Sequence, residues 1–203
     1  LAIRHAVKLC KRKGIKTELV LWQVPLWMNG GTSYADFNKV PPDEQAIYDM
    51  VKATVAWFGE DVDYYSIFHE ANHPKYWEGT WDELIELFML PAARAIRDYS
   101  EETGDKKIVS TAGLSPSRNC KKWYDIQLDY PELMGLIDNF AINLSDFNNG
   151  WGGGLLTWVS SVWDQLDYMD QRLKEEGYDD KGLVAAESWI CWDGERTPHG
   201  PEG

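Results

Sequence analysis

The chain has 203 residues, with 20 Lys or Arg against 33 Asp or Glu, so its formal net charge is −13. A surface this acidic repels phosphates and disfavours nucleic-acid binding. No apolar run reaches the roughly 18 residues of a membrane span, and 11 Trp residues exclude a disordered chain. We find no linker or repeat, so residues 1–203 are treated as one domain.

Helical and strand patterns alternate from the first residue onward. A helix over residues 2–13 leads into a strand over 16–24, which is followed by a polar loop over 29–39. The next helix begins at Asp43 and is ended by Gly59. A strand over 62–68 then runs into the segment His69-Glu-Ala-Asn72.

The second half of the chain repeats this alternation. A capping box at Thr80 predicts the start of a long helix, which Pro91 should kink or split. The remaining elements are predicted as a strand over 107–112, a helix over 120–128, a strand over 136–144, a helix over 155–176 and a strand over 182–186.

Alternating strands and helices predict an α/β fold with a parallel sheet. The strands are mostly apolar without clean alternation, as expected when both faces are covered. Two architectures fit this pattern, an open doubly wound sheet or part of a (β/α)8 barrel. The sequence contains no G-x-G-x-x-G or G-x-x-x-x-G-K loop, which disfavours a doubly wound sheet that binds a nucleotide.

Two carboxylic acids follow predicted strands at the point where parallel barrels carry their chemistry. Glu70 follows the strand over 62–68, and Glu187 follows the strand over 182–186. A pair of acids across a pocket suits glycoside cleavage, in which one protonates the leaving oxygen and the other attacks the anomeric carbon or activates water. By pattern alone, a Glu at a strand end is more often a solvated residue or an ion-pair partner.

Tryptophans near these strand ends favour a sugar ligand. Trp22, Trp27, Trp77 and Trp189 are among those in or beyond the strand ends. Indole rings stack on the C–H faces of sugars, and the ring N–H bonds a hydroxyl. Some of these rings are expected to be core residues instead, and Trp57 on its helix is a plain core candidate.

Three segments resemble the retaining glycoside hydrolases of clan A. Residues 58–84 are similar to that clan's acid/base segment, residues 14–30 to its third strand with a Pro-x-Trp exit, and residues 184–189 to its seventh strand. Xylosidase/iduronidase-type members are the most similar, with cellulase-type members next. The resemblance implies an incomplete (β/α)8 barrel with about strands three to seven present.

The resemblance also implies roles for individual residues. Glu70 corresponds to the acid/base and Glu187 to the nucleophile, with their carboxyls roughly 5–5.5 Å apart as retention requires. The substrate-binding positions it implies are His69, Asn72, Trp27, Trp77, Asn143 and Trp189.

The chain departs from the clan pattern in three places. His69 stands where the clan has Asn, and Ala71 where it has Pro. The tyrosine that usually follows strand six is absent, or its place is taken by a group such as Asn143 or Ser145. These departures leave open an alternative function, a non-catalytic carbohydrate-binding barrel that has lost its hydrolase activity.

Further expectations concern ligands and context. His69 and His73 flank Glu70 without a third metal ligand, so neither a metal nor a cofactor is expected. The expected partner is a carbohydrate substrate, and no oligomeric state is indicated. The chain starts in a helix without Met, which we interpret as a piece of a longer protein. The acidic, Trp-rich composition and the resemblance favour secretion over a cytoplasmic location.

Overall fold

The computed structural model describes residues 2–41, 43–115, 120–145 and 162–189, without the side chains of 144–145, 162–165 and 187–189. Within these ranges no helix is both long and apolar enough to cross a membrane. The fold is an α/β fold with one parallel sheet, as the alternating pattern predicts.

Across the described residues the sheet has five strands in strictly sequential order, each parallel to the next. The strands are β1 (Glu18–Leu21), β2 (Tyr64–Ile67), β3 (Ile108–Ser110), β4 (Asn139–Ser145) and β5 (Gly182–Trp189). Parallel crossovers are right-handed, so a sequential order places every connecting helix on the same face. A doubly wound sheet instead reverses its strand order partway, so the observed order excludes that alternative for the described strands.

In the described part of the chain the helices occupy the predicted places with two additions, and residues 155–161 of the helix predicted over 155–176 lie outside it. They are α1 (Ala2–Arg12), α2 (Leu26–Asn29), α3 (Glu44–Phe58), α4 (Trp81–Leu84), α5 (Leu90–Thr103), α6 (Cys120–Leu128), α7 (Pro131–Leu136) and α8 (Val162–Glu175). The short helices α2 and α7 lie in stretches where the sequence pattern predicts no helix. Each spans fewer residues than a periodicity argument needs.

A π-helical segment interrupts the long helix just before Pro91. Residues Ile85–Met89 form a π-helical segment between α4 and α5, and the Leu90 N–H donates to the Ile85 carbonyl. Proline has no N–H to bond the preceding turn, and its ring crowds the carbonyl four residues back. The wider π turn relieves that crowding, so the helix continues past the proline.

The hydrophobic core lies between the sheet and its helices. Tyr65, Ile67 and Val109 of the strands are fully buried, and so are Val51 and Val55 of α3. The alternate strand residues point to the opposite face, where Val20 remains 44% exposed. One face of the sheet is therefore packed and the other lines an open space.

The sheet curls around that open space. A cavity of about 190 Å³ is lined by Glu18 and Val20 of β1 and by Ala186 of β5, which are the two edge strands. In a flat sheet these edges would be four strand spacings apart, about 19 Å, and one small cavity would not touch both. The strands therefore curve around the cavity, as the strands of a barrel do.

A buried lysine joins the N-terminal ends of the strands. Lys107, just before β3, is fully buried, and its ammonium donates to the carbonyls of Gly59 and Val62 at 2.8 Å. It also donates to Asp105 Oδ2 at 2.6 Å. The chain entering β2 and the chain entering β3 are thereby connected through one charged group.

Candidate active site

Strained backbone marks the C-terminal ends of β1 and β2. Among the described residues, the non-glycine residues with positive φ are Gln23 (74°), Phe68 (115°) and Glu70 (45°). All three follow one of these two strands within three residues of its end. Such conformations cost about 1–3 kcal/mol each and cluster at functional sites, so this end of the sheet is the candidate active site.

The Glu70 carboxyl is held from two directions. The Glu70 backbone N–H donates to the Gly113 carbonyl at 2.7 Å, which fixes the strained residue to the segment that follows β3. Its Oε1 accepts a hydrogen bond from Asn143 Nδ2 at 3.0 Å. Its Oε2 lies 4.0 Å from His69 Nε2, and the Glu70 side chain is 20% exposed. One carboxyl oxygen is therefore bonded within the protein, while the carboxyl still reaches solvent.

Asn143 connects Glu70 to the strand that carries the second predicted acid. Asn143 is 2% exposed and lies on β4, where its register partner is Glu187 on β5. A register shift between Ile142 and Asn143 interrupts the regular pairing at this level. The side chain of Glu187 lies outside the described part, so the predicted carboxyl separation stays a prediction.

Trp189, two residues after that acid, is described only partly as well. Trp189 is the last residue of β5 and pairs in register with Ser145. Its side chain also lies outside the described part, so its predicted contact with substrate stays a prediction.

His69 sits in an aromatic wall beside the carboxyl. Its ring is 5.5 Å from the Trp22 ring in an edge-to-face arrangement and 6.1 Å from the Tyr76 ring. Trp22 and Tyr76 are themselves 5.2 Å apart, and Trp22 remains 40% exposed. An exposed indole next to a carboxyl is a surface on which a sugar ring can stack. The sequence pattern includes Trp22 among the strand-end tryptophans that favour a sugar ligand, but Trp22 is not among the predicted substrate-binding positions.

Trp27 and Tyr34 project from the loop after β1, each 75% exposed. Asn29 stiffens this loop by donating to the Asp36 carbonyl at 2.8 Å and accepting from the Gly31 N–H at 2.9 Å. The N–H groups of Thr32 and Ser33, together with the Lys39 ammonium, lower the Asp36 pKa to about 2. The loop thus holds both rings outward, and for Trp27 this position fits the predicted sugar contact.

Asn72 and Trp77 have structural contacts that their sequence positions do not reveal. The Asn72 amide donates to the Ser115 carbonyl at 2.7 Å and accepts from the Ser115 N–H at 2.9 Å, and Asn72 is 4% exposed. Trp77 is 3% exposed, packs edge-to-face on Phe68, and donates to the Thr80 carbonyl at 2.8 Å. Its buried ring leaves no open face for stacking, so a direct sugar contact does not fit Trp77.

One acidic residue of the cavity was missed by the sequence analysis. Glu18 on β1 lines the cavity together with His69, and its Oε1 accepts from the Ser66 hydroxyl at 2.5 Å. A signal was present, because Glu18 alternates with the apolar residues Leu19 and Leu21, which face the helices. Within the described ranges, no cluster of His, Cys, Asp or Glu is arranged to hold a metal ion.

Comparisons with known proteins identify the fold but no family. No protein-family model and no curated protein sequence matches the chain. Among solved structures, the chain is similar to a glucosidase from Croceicoccus marinus, with a TM-score of 0.60 and 15% identity over 95% of this chain and 38% of that one. It is similar to xylanase 10B from Thermotoga petrophila RKU-1 in complex with xylobiose, with a TM-score of 0.53 and 16% identity over 86% of this chain and 51% of that one.

These similarities establish a shared fold. The native xylanase 10B from Thermotoga maritima gives a TM-score of 0.50 at 15% identity, and the chain covers 52% of its length. The chain thus spans between about two fifths and about half of the length of these structures. Its α/β fold is shared with glucosidase and xylanase structures at a sequence identity too low to define a family.

Proposed function

We propose that the chain is part of a (β/α)8 barrel that hydrolyses O-glycosidic bonds of a β-linked glycan or glycoside with retention. Three features support the proposal: the sequential, curled parallel sheet, the strained C-terminal strand ends, and a fold shared with glycosidases. In this barrel the described strands correspond to about strands three to seven. Active sites of such barrels lie at the C-terminal ends of the strands.

The observation that carries the proposal is the position of Asn143. Its amide bonds the Glu70 carboxyl, and its backbone pairs in register with Glu187. Strand ends that are far apart in sequence therefore converge on one buried amide. We expect the two carboxyls to flank one cleft at this point, with the separation of a retaining pair.

The proposed reaction has two displacements. First, the Glu187 carboxylate attacks the anomeric carbon and forms a glycosyl ester, while the bond to the leaving oxygen breaks and that oxygen takes the proton of Glu70. Second, the Glu70 carboxylate removes a proton from water, whose oxygen attacks the anomeric carbon and releases Glu187. The proton balance closes, because Glu70 ends the cycle protonated as it began.

Neighbouring residues would bind the sugar. His69 lies beside the acid with its ring nitrogen toward the carboxyl, where it can bond a sugar hydroxyl. Trp22 and Trp27 offer exposed rings for stacking, and Trp189 is proposed to do the same from β5. Asn72 would act indirectly, by fixing the loop at Ser115 next to the acid/base segment.

The test uses two variants and two substrates on the full-length protein. Glu70→Gln should lose about 10²–10⁴-fold in kcat/KM, which reports the first displacement, on an aryl β-glycoside with a poor leaving group. It should lose much less when the leaving group is dinitrophenolate, which departs without protonation. Glu187→Gln should lose activity on both substrates, because no nucleophile remains.

Glu101→Gln is the matched control, since Glu101 is exposed near the end of α5, and it should leave activity unchanged. Proton NMR should show the β-anomer as the first product. Turnover unchanged by both active-site variants would refute the assignment. Glycan binding without turnover in the native protein would support the non-catalytic alternative instead.

A further inference from the structure

A glycine opens the space in which Glu70 and Asn143 meet. A Cβ built on Gly113 would lie 2.6 Å from Asn143 Oδ1 and 2.9 Å from the Ala186 Cβ. Gly113 does not have a positive φ, so its backbone conformation does not require glycine. The same residue accepts the Glu70 N–H through its carbonyl. The requirement for glycine at position 113 is therefore one of space around the Asn143 amide.

We propose that Gly113 and Asn143 are positioning residues that fix which oxygen of Glu70 carries the catalytic proton. The inference rests on the proposed function and deepens it. The Asn143 Nδ2 can only donate a hydrogen bond, so the Glu70 Oε1 that it contacts must be the acceptor. In the protonated acid the proton then resides on Oε2, the oxygen on the side of His69.

This arrangement specifies the path of the proton. In the first displacement the proton leaves Oε2 for the departing oxygen as the glycosidic bond breaks. The charge that develops on Glu70 is shared with Oε1, where the Asn143 N–H stabilises it in a buried position. In the second displacement the proton taken from water returns to Oε2. Asn143 thus keeps the Glu70 carboxyl in one orientation.

Other ionisable groups on the neighbouring elements bear on the test. The His69 Nε2 lies 4.0 Å from the Glu70 Oε2, and Glu18 lines the cavity that His69 also lines. Glu187 is the register partner of Asn143 on β5. The variants below leave all three in place, so a change in pH dependence reports on the amide bond.

The experiment compares pH profiles of kcat/KM for the native full-length protein and five variants. Asn143→Leu removes the donor and should move the basic limb to higher pH by about one unit, the order expected for one hydrogen bond to a carboxylate. Asn143→Asp places a negative charge there and should move it further. Gly113→Ala displaces the Asn143 amide from the Glu70 carboxyl while keeping every polar group. It should therefore move the basic limb by as much as Asn143→Leu does.

The double variant Gly113→Ala/Asn143→Leu decides whether the two residues act as one unit. It should show no shift beyond either single variant, because both remove the same bond. Gly135→Ala is the matched control, since a Cβ there meets nothing within 4 Å, and its profile should equal the native one. A residue that only supports the fold would lower activity at every pH without moving the limb.

A second readout separates this inference from the proposed function. The ¹³C shift of the Glu70 carboxyl, identified by its loss in Glu70→Gln, is followed during a pH titration and needs no turnover. An upward shift of the midpoint in the order native, Asn143→Leu, Asn143→Asp supports the inference even if no glycoside is hydrolysed. Equal midpoints in folded variants would overturn it, even if the native protein is an active glycosidase.

Discussion

Replacing the buried lysine at the base of the sheet should destabilise the protein strongly. Lys107 is 1% exposed as a side chain, and Lys107→Met keeps most of its volume while removing its charge and its three bonds, to Gly59, Val62 and Asp105. Removing one partner of a buried ion pair costs about 3–5 kcal/mol. Because Asp105 is 32% exposed and regains water, we expect the lower end, about 3 kcal/mol.

The assay is urea unfolding followed by far-UV circular dichroism, together with a thermal scan. For a chain of this length, a loss of about 3 kcal/mol lowers Tm by about 6–12 °C. Lys174→Met is the matched control, because Lys174 is 61% exposed and pairs with Asp170 on its own helix. That variant should stay within about 0.5 kcal/mol of the native protein. If the two variants lose similar stability, Lys107 does not connect the strands as argued.

Three further expectations concern the helix cap, the loop and the aromatic wall. Thr80→Ala removes the cap that accepts the Glu83 N–H and should cost about 1 kcal/mol in urea unfolding. Hydrogen bonds lower the pKa of Asp36 to about 2, so the stability that its carboxylate gives to the loop should be complete above pH 3.8 and fade as the pH falls towards 2. The measurement is hydrogen exchange of the Thr32 amide, whose protection relative to its intrinsic exchange rate should fall over this range. Trp22→Ala should raise KM for a glycan severalfold with little change in kcat, whereas Trp57→Ala, an equally exposed ring far along α3, should leave both unchanged.

Periodicity was sufficient to predict most of the fold. The strands over 62–68 and 136–144 and the helix over 120–128 are observed with ends shifted by at most three residues. The architecture could not be chosen from these patterns, because a doubly wound sheet and a barrel use the same alternation. Strand order decides between them, and strand order depends on pairing between segments far apart in the sequence.

Individual side chains were harder to place. Trp57 lies on an amphipathic helix and was expected in the core, yet it is 44% exposed and covered by the Arg4 guanidinium 5.2 Å from its ring. Trp77 was expected at the sugar and is buried. The burial of each ring depends on which residues pack over its helix or loop, and a local sequence pattern does not contain that information.

The backbone of the candidate site departs from the conformation that local propensity predicts for it. Phe68 ends a run of strand-forming residues and Glu70 follows two positions later, yet both adopt positive φ. That conformation is retained because Gly113 and Asn143 hold Glu70 through bonds to its backbone and carboxyl, the second across 73 residues. Because such strain persists only where surrounding contacts over-determine it, the bonds that offset it are also the bonds that orient the acid. Loss of the Asn143 bond should therefore alter the acid before it alters the fold.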